Sequence, residues 1–309
     1  MTTLGIDTSN YTTSAALYKG GGEYDMRRRI LDVKSGSRGI RQSDAVFIHN
    51  RELPGMLEEL MADRNAGITA VGVSKRPRSA EGSYMPVFTV GHGYARAAAA
   101  AAGVPLYEFS HQDGHIMAGI LSGGCTELLG EPFLSVHISG GTTEILRTEY
   151  NGYNFDCTII GGTLDISAGQ LIDRVGVAMG LKFPCGAELE RLAESADKAY
   201  KLPFSVKGSY VNLSGAETKL LRMISGADPD IARTAVCYIR DVLALMIGNA
   251  VLETGLKKVL IAGGVASNSV IRSGIIERVD AEVHFASREL STDNAVGVAC
   301  LAYMAADRI

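Results

Sequence analysis

Two histidines four residues apart, His111 and His115 in SHQDGHI, have the types and spacing that could do chemistry in this chain. On a helix, positions i and i+4 share a face, so the two imidazoles can reach one metal ion. Ser110, followed three residues later by Asp113, reads as a capping box that starts such a helix. Gln112 and Asp113 stand where a metalloprotease needs the Glu of HExxH, so that motif is absent. A third ligand has to come from elsewhere, and a carboxylate would complete a two-histidine, one-carboxylate set with positions left open for phosphate or water. Without it the pair reads as exposed or capping histidines.

A second group of residues suggests nucleotide chemistry. In SVHISGGTTEIL, Ser135 to Leu146, an apolar strand runs into Ser139-Gly140-Gly141-Thr142 and returns as a second strand. Adjacent glycines let backbone amides approach a phosphate, and Ser139 adds a hydroxyl. The same strand, polar turn, strand pattern opens the chain in TLGIDTSNYTTSAALY. There Asp7, placed at the turn, reads either as a turn-stabilising residue or as a carboxylate for a phosphate-bound metal ion or its water. Near the end, Ala262-Gly263-Gly264 follows an apolar strand and opens a helix, an arrangement that seats a nucleotide against backbone. It matches neither a P-loop nor GxGxxG.

Between these turns, GGTLDISAGQLIDR predicts a helix capped by Thr163 and ending by Gly180, ahead of Pro184. On that helix Asp165, Gly169 and Asp173 would share a face, with Asp173 available to ribose hydroxyls. Glu190, on the helix after Pro184-Cys185-Gly186, is a second ribose candidate. Asp293 is expected in the first turn of the last helix, where an acid commonly serves the helix dipole.

These residues need elements to hold them. Val87 to Ser110 reads strand, glycine turn, Ala-rich helix, strand, and Val259 to Ser287 reads the same. With the two hairpins, this makes a duplicated α/β unit, two lobes facing each other across a cleft. The boundary is expected near 125–131, giving lobes of 1–127 and 128–309. Leu53 to Ala62 is predicted helical. A length of 309 residues with 46% hydrophobic content and no uninterrupted apolar run of about 18 predicts a soluble chain with ample core, not a membrane protein. The first residues show no basic leader, which sets a cytoplasmic expectation. Five scattered cysteines without CxxC pairing predict reduced thiols. A net charge of −4 argues against indiscriminate nucleic-acid binding, and Arg27-Arg28-Arg29 and Lys75-Arg76-Pro77-Arg78 read as surface rather than as a nucleic-acid face.

The blocks SHQDGH, HISGGTTEIL, GGTLDISAGQLIDRVGVAMGLKFPCGAELERLA, IAGGVASNSVIR and STDNAVGVA together resemble the TsaD/Gcp family, tRNA threonylcarbamoyladenosine transferases once described as O-sialoglycoprotein endopeptidases. The resemblance runs from about residue 85 to 303. It implies an actin-like, sugar-kinase-like ATPase fold with mixed sheets flanked by helices and a nucleotide cleft. It further implies that His111, His115 and Asp293 bind one divalent ion, iron or zinc. By the same transfer Ser139, Gly140 and Gly141 line the phosphates of ATP or threonylcarbamoyl-adenylate, Asp173 and Glu190 the ribose, and Gly186 and Asn268 the adenosine side. The implied reaction moves a threonylcarbamoyl group to N6 of adenosine-37 in tRNA, with TsaB-like and TsaE-like proteins, or a second copy of the chain, as partners.

Several positions depart from the family pattern. Its ETSCDET appears here as Asp7-Thr8-Ser9-Asn10-Tyr11-Thr12-Thr13, without the second pair of acids. SGGHTE has become SGGTTE, LDDAAG is reduced to Asp165-Ile166, SGLKT appears as Ser214-Gly215-Ala216-Glu217-Thr218, and Asp32 to Arg51 does not match. The chain therefore reads as a divergent paralogue. It is either a metal-dependent transferase, with Asp7 and Ser139 at the chemistry, or a non-catalytic ATP-binding scaffold or regulator. No nucleophile and base pair supports a peptidase.

Overall fold

A computed structural model describes residues 1–32, 40–62 and 67–308. The elements in chain order are β1 (Thr3–Ser9), β2 (Thr12–Gly20), β3 (Glu23–Ile30), α1 (Gln42–Leu60), β4 (Ala70–Arg76), α2 (Phe88–Ala102), β5 (Leu106–Ser110) and α3 (His111–Gly123). After a 3-10 turn come β6 (Phe133–Ile138), β7 (Thr143–Tyr150), β8 (Phe155–Thr163), α4 (Ala168–Ala178), α5 (Gly186–Glu194), β9 (Val206–Lys207), β10 (Tyr210–Val211) and α6 (Ser214–Met223). The chain closes with α7 (Pro229–Thr254), β11 (Lys258–Ala262), α8 (Ser269–Arg278), β12 (Glu282–Phe285) and α9 (Val296–Ala306). Of the stretch Asp32 to Arg51, residues 33–39 lie outside the described residues.

The duplication expected from the sequence is visible in the sheets. The first runs β3-β2-β1-β4-β5, and the second contains the run β8-β7-β6-β11-β12, with β10 and β9 added beyond β8. In each, an antiparallel hairpin (β1 with β2, β6 with β7) lies beside two parallel strands. Parallel strands covered by helices are apolar along their whole length. All seven residues of β1 are buried, and Leu4, Ile6, Val71 and Val73 pack against Leu53, Ala95 and Ala99 of the helices. In the second sheet Leu134, Val136 and Ile138 join Val259 and Ile261 over a core dominated by α7. By length and hydropathy alone α7 could cross a membrane, but 67% of its apolar window is buried in that core.

The chain divides into two compact units: Met1–Thr126 with Tyr150–Asp156 and Thr292–Ile309, and Glu127–Glu149 with Cys157–Ser291. The expected lobes 1–127 and 128–309 need correction at the far end, because the last helix belongs to the first unit. Two glycines explain it. A Cβ on Gly5 of β1 would stand 2.4 Å from the Ala295 carbonyl, and one on Gly72 of β4 would stand 2.3 Å from that of Val298. The first sheet is bare where α9 lies on it.

Two further expectations change. Val87 to Gly93 is not a strand and turn but the start of α2. Gly91, read as a turn signal, is helical; its N–H donates to Thr8 Oγ1, and a Cβ there would meet that oxygen at 2.8 Å. Thr163 ends β8 rather than capping a helix. The cap of α4 is Ser167, in a capping box with Gln170.

Candidate functional site

In the first unit, α3 begins where the sequence predicts. Ser110 Oγ accepts the Asp113 N–H, while the Asp113 carboxylate accepts from the Ser110 N–H. This places His111 and His115 one turn apart with their Nε2 atoms 3.0 Å from each other. Asp293 arrives from the loop before α9, not from the first helical turn as expected; the N-cap is Ala295, and Asn294 Oδ1, one residue earlier, accepts the Val296 N–H. Asp293 Oδ1 lies 3.5 Å from His111 Nε2 and 3.2 Å from His115 Nε2.

The three ligands meet because α3 and α9 touch through backbone. Gly114 sits between the histidines, and a Cβ on Gly297 would lie 1.9 Å from its carbonyl oxygen. Small residues at a helix crossing allow this approach; any larger side chain would push Asp293 away from the histidines.

The donor set fits a divalent cation. Ligands about 2.1 Å from an ion stand about 3.0 Å apart at right angles and about 3.4 Å apart at tetrahedral angles, close to the 3.0, 3.2 and 3.5 Å found. Two imidazoles and one carboxylate suit iron or zinc and leave coordination positions open. The Asp293 side chain is 28% exposed, so the set is reachable. Electrostatics agree. Burial alone would lower the His111 pKa, but Asp7 and Asp293 outweigh it and raise the value to about 10. Burial would raise that of Asp293, yet hydrogen bonds from His111 and His115 hold it well below the usual carboxylate range. The cluster is built to hold positive charge.

Asp7 is not where the sequence put it. It lies within β1 rather than at the hairpin turn, is 1% exposed, and its Oδ2 is 2.7 Å from His111 Nδ1. Ser74 of β4 donates to the same oxygen. Buried behind a histidine, Asp7 cannot touch a phosphate or a substrate, which corrects its expected role at the chemistry. The residues that sequence reasoning missed are its neighbours: Ser74, and Ser9, whose Oγ donates to Asp293 Oδ2 at 2.6 Å. The strand ThrLeuGlyIleAspThrSer carried the signal, three polar residues ending a buried strand.

In the second unit, the predicted glycine turns lie together. β6 and β11 pair in parallel with Ala262 opposite His137, so Ser139-Gly140-Gly141 and Gly263-Gly264 both leave the carboxyl ends of adjacent strands, the usual ligand position on such sheets. Gly263 has φ +106°, and a Cβ on it would stand 2.2 Å from the Ile138 carbonyl. The first turn of α4 closes the same end: Ser167 Oγ donates to the Gly140 carbonyl, and a Cβ on Gly169 would meet Ser139 O at 2.5 Å. By contrast a Cβ on Gly140, Gly141, Gly186 or Gly264 would meet no atom within 4 Å. Of these, Gly140, Gly141 and Gly264 leave adjacent strand ends, a cradle of backbone suited to a nucleotide, whereas Gly186 opens α5.

The side chains assigned to this cradle are more committed than expected. Ser139 Oγ accepts the Thr142 N–H at 3.1 Å and the Gly141 N–H at 3.4 Å, so it shapes the turn. Asn268 Oδ1 caps α8 through the Ile271 N–H. Glu190 Oε1 accepts from Ser269 N–H and Oγ. Asp173 Oδ1 accepts the Cys185 N–H at 2.8 Å, and burial raises its pKa although that bond opposes the rise. Asp165 does not share their helix; it accepts from Leu213 N–H and Ser214 N–H at the start of α6. Of the arginine cluster on β3, Arg27 pairs with Glu59, Arg29 with Glu52 and Glu59, and Arg28 donates to Thr292.

Sheet order and site placement define the class first: an actin-like, sugar-kinase-like α/β fold. Among solved structures it resembles a ROK family glucokinase from Streptomyces griseus in complex with glucose and AMPPNP (TM-score 0.57, 12% identity, 98% of this chain and 99% of that one). It also resembles (R)-2-hydroxyglutaryl-CoA dehydratase component A of Acidaminococcus fermentans (TM-score 0.56, 18% identity, 99% of each). At the sequence level the profile described as TsaD, tRNA N6-adenosine threonylcarbamoyltransferase, matches residues 30–300. Proteins of that name from Sulfurihydrogenibium sp. (strain YO3AOP1) and Bacillus subtilis (strain 168) are each 30% identical, covering 98% and 100% of this chain and 90% and 91% of their own. The chain belongs to the tRNA N6-adenosine threonylcarbamoyltransferase family.

Proposed function

We propose that this protein is a metal-dependent acyltransferase that moves a threonylcarbamoyl group from its adenylate to N6 of adenosine-37 in tRNA. The reading is carried by the His111, His115 and Asp293 cluster, whose ligand atoms lie 3.0 to 3.5 Å apart in a chain of this family. A divalent cation bound there supplies positive charge for anionic oxygens. The chain's own part is positioning and charge: amides of the Gly140-Gly141 and Gly263-Gly264 turns hold phosphate oxygens, and Asp173 orients the ribose. TsaB-like and TsaE-like proteins are the proposed partners.

The test is threonylcarbamoyl transfer to unmodified ANN-decoding tRNA by zinc- or iron-loaded protein, with and without those partners. Formation of threonylcarbamoyladenosine is expected, and His115→Ala should abolish it. A second reading, a nucleotide-binding scaffold without transfer, is favoured by the first hairpin turn. Asn10 there accepts from Gln42, Tyr11 is 42% exposed, and neither Tyr11 nor Thr12 carries a carboxylate. Adenylate binding with no tRNA product under every partner combination would select that reading.

A further inference from the structure

We propose that Asp7 and Ser9, two of the three polar residues at the end of β1, are positioning residues that decide which atoms of His111 and Asp293 face the metal. The inference rests on the metal reading of the His111, His115 and Asp293 cluster.

A neutral imidazole carries its proton on one nitrogen and offers the other as a ligand. His111 presents Nε2 to the cluster, while its Nδ1 lies 2.7 Å from Asp7 Oδ2. A buried carboxylate at that distance fixes the proton on Nδ1 and leaves the Nε2 lone pair free; the carboxylate also makes the ring a stronger donor to a cation. Asp7 is itself held. Its Oδ2 takes the Ser74 hydroxyl, and its backbone lies within β1, opposite Ser14 of β2 and one residue beyond the last pair that β1 makes with β4. Its Oδ1 is buried without a hydrogen bond among the described residues. The environment therefore spends a desolvated carboxylate on orienting one histidine, a cost that a turn or a packing role does not require.

Ser9 does for Asp293 what Asp7 does for His111. Its hydroxyl donates to Oδ2 at 2.6 Å, and Oδ1 is the oxygen that lies near both Nε2 atoms. With Oδ2 occupied, the carboxylate has one oxygen turned to the cluster. Asp7 and Ser9 are two positions apart on the strand, so both point to one face of the sheet. A single strand thus sets one ligand from α3 and one from the loop before α9.

The experiment titrates Zn²⁺ into metal-free protein against a chelator of known affinity. Wild type should bind one ion and His115→Ala should not; no binding by wild type would overturn the metal reading and this inference together. With that difference established, Asp7→Asn, which keeps the shape and removes the charge, should weaken Zn²⁺ by about 10- to 100-fold. Ser9→Ala should show a smaller loss. In Zn²⁺-saturated wild type, ¹⁵N-edited NMR should place the His111 proton on Nδ1, shifted downfield by the carboxylate, and that shift should collapse in Asp7→Asn. Unchanged Zn²⁺ affinity and an unchanged His111 signal in Asp7→Asn would overturn the inference while leaving the metal site standing. Should Asp7→Asn not fold, Ser74→Ala removes only the hydroxyl that holds Asp7. Undiminished Zn²⁺ affinity in both Ser74→Ala and Ser9→Ala then overturns it.

Discussion

The two duplicated hairpins turn in the same way and have been put to different uses. In the first, Ser9 and Thr12 bound the turn, and the serine hydroxyl reaches Asp293. In the second, Ser139 N–H donates to the Thr142 carbonyl and the serine oxygen folds back on the amides of Gly141 and Thr142. The first unit builds its site from side chains, with His111 held by Asp7 and Asp293 by Ser9. The second builds from backbone, with glycines where atoms crowd and glycines again where space is open. One scaffold thus supports two kinds of preorganisation: hydrogen bonds that orient side chains, and packing that fixes main chain.

Matched substitutions separate the two kinds. Gly169→Ala puts a methyl against Ser139 O, and Gly297→Ala puts one against Gly114 O. Each overpacks a backbone contact, which costs about 1–3 kcal/mol. Gly169→Ala should lower adenylate affinity by about tenfold or more with Zn²⁺ binding intact; Gly297→Ala should do the reverse, with adenosine binding intact. Calorimetric titration of both variants with both ligands checks this. Equal losses of both ligands in either variant would mean that the two sites are not built independently.

Proton release on metal binding should belong to the first site. The metal-free pKa of His111 near 10 is above its ordinary 6.5. The group therefore stabilises the metal-free fold fully below about pH 6.5, and that contribution fades as pH rises through about 10. A metal ion must displace the same proton. Zn²⁺ uptake at neutral pH should release about one proton, read from binding heats in buffers of different ionisation enthalpy, and affinity should fall as pH is lowered. Heats independent of the buffer would show that His111 is already neutral in the metal-free protein at neutral pH.

The two sites also differ in how legible they were from sequence. His111, His115 and their capping box follow from helical spacing, a local rule, and the structure places them so. The glycine turns were legible for the same reason, since strand, Gly-Gly, strand or helix is a local pattern. Asp7 and Asp293 were misplaced, the one at a turn and the other on a helix, because burial inside β1 and the loop before α9 are set by contacts nearly 300 residues apart in sequence, such as Gly5 against Ala295. The start of α2 misled in the opposite direction. Val87 to Gly93 has strand composition, yet Thr8 and the sheet around it make Gly91 a packing residue of a helix. The last helix joining the first unit was illegible for the same reason: bare glycines on a strand say that something approaches, not what.

The smallest effect tests the one side chain in the glycine cradle whose burial works against it. Burial raises the pKa of Asp173, so its ionised form costs stability above that pKa, and folding should gain as pH falls through it. The proposed ribose contact would offset that cost. Asp173→Asn keeps an acceptor for the Cys185 N–H and removes the charge. Thermal stability at pH 7 should hold or rise, whereas adenosine affinity should fall by about 3- to 10-fold, the difference between a charge-assisted and a neutral hydrogen bond to a hydroxyl. Asp165→Asn is the contrast: its carboxylate binds the start of α6 and its pKa is lowered, by hydrogen bonds that overcome burial. Its contribution is present above about pH 3.8, so its loss should lower stability at pH 7 and spare adenosine. A loss of stability without a loss of adenosine affinity in Asp173→Asn would make Asp173 a structural acid like Asp165, and would leave Glu190 as the ribose candidate.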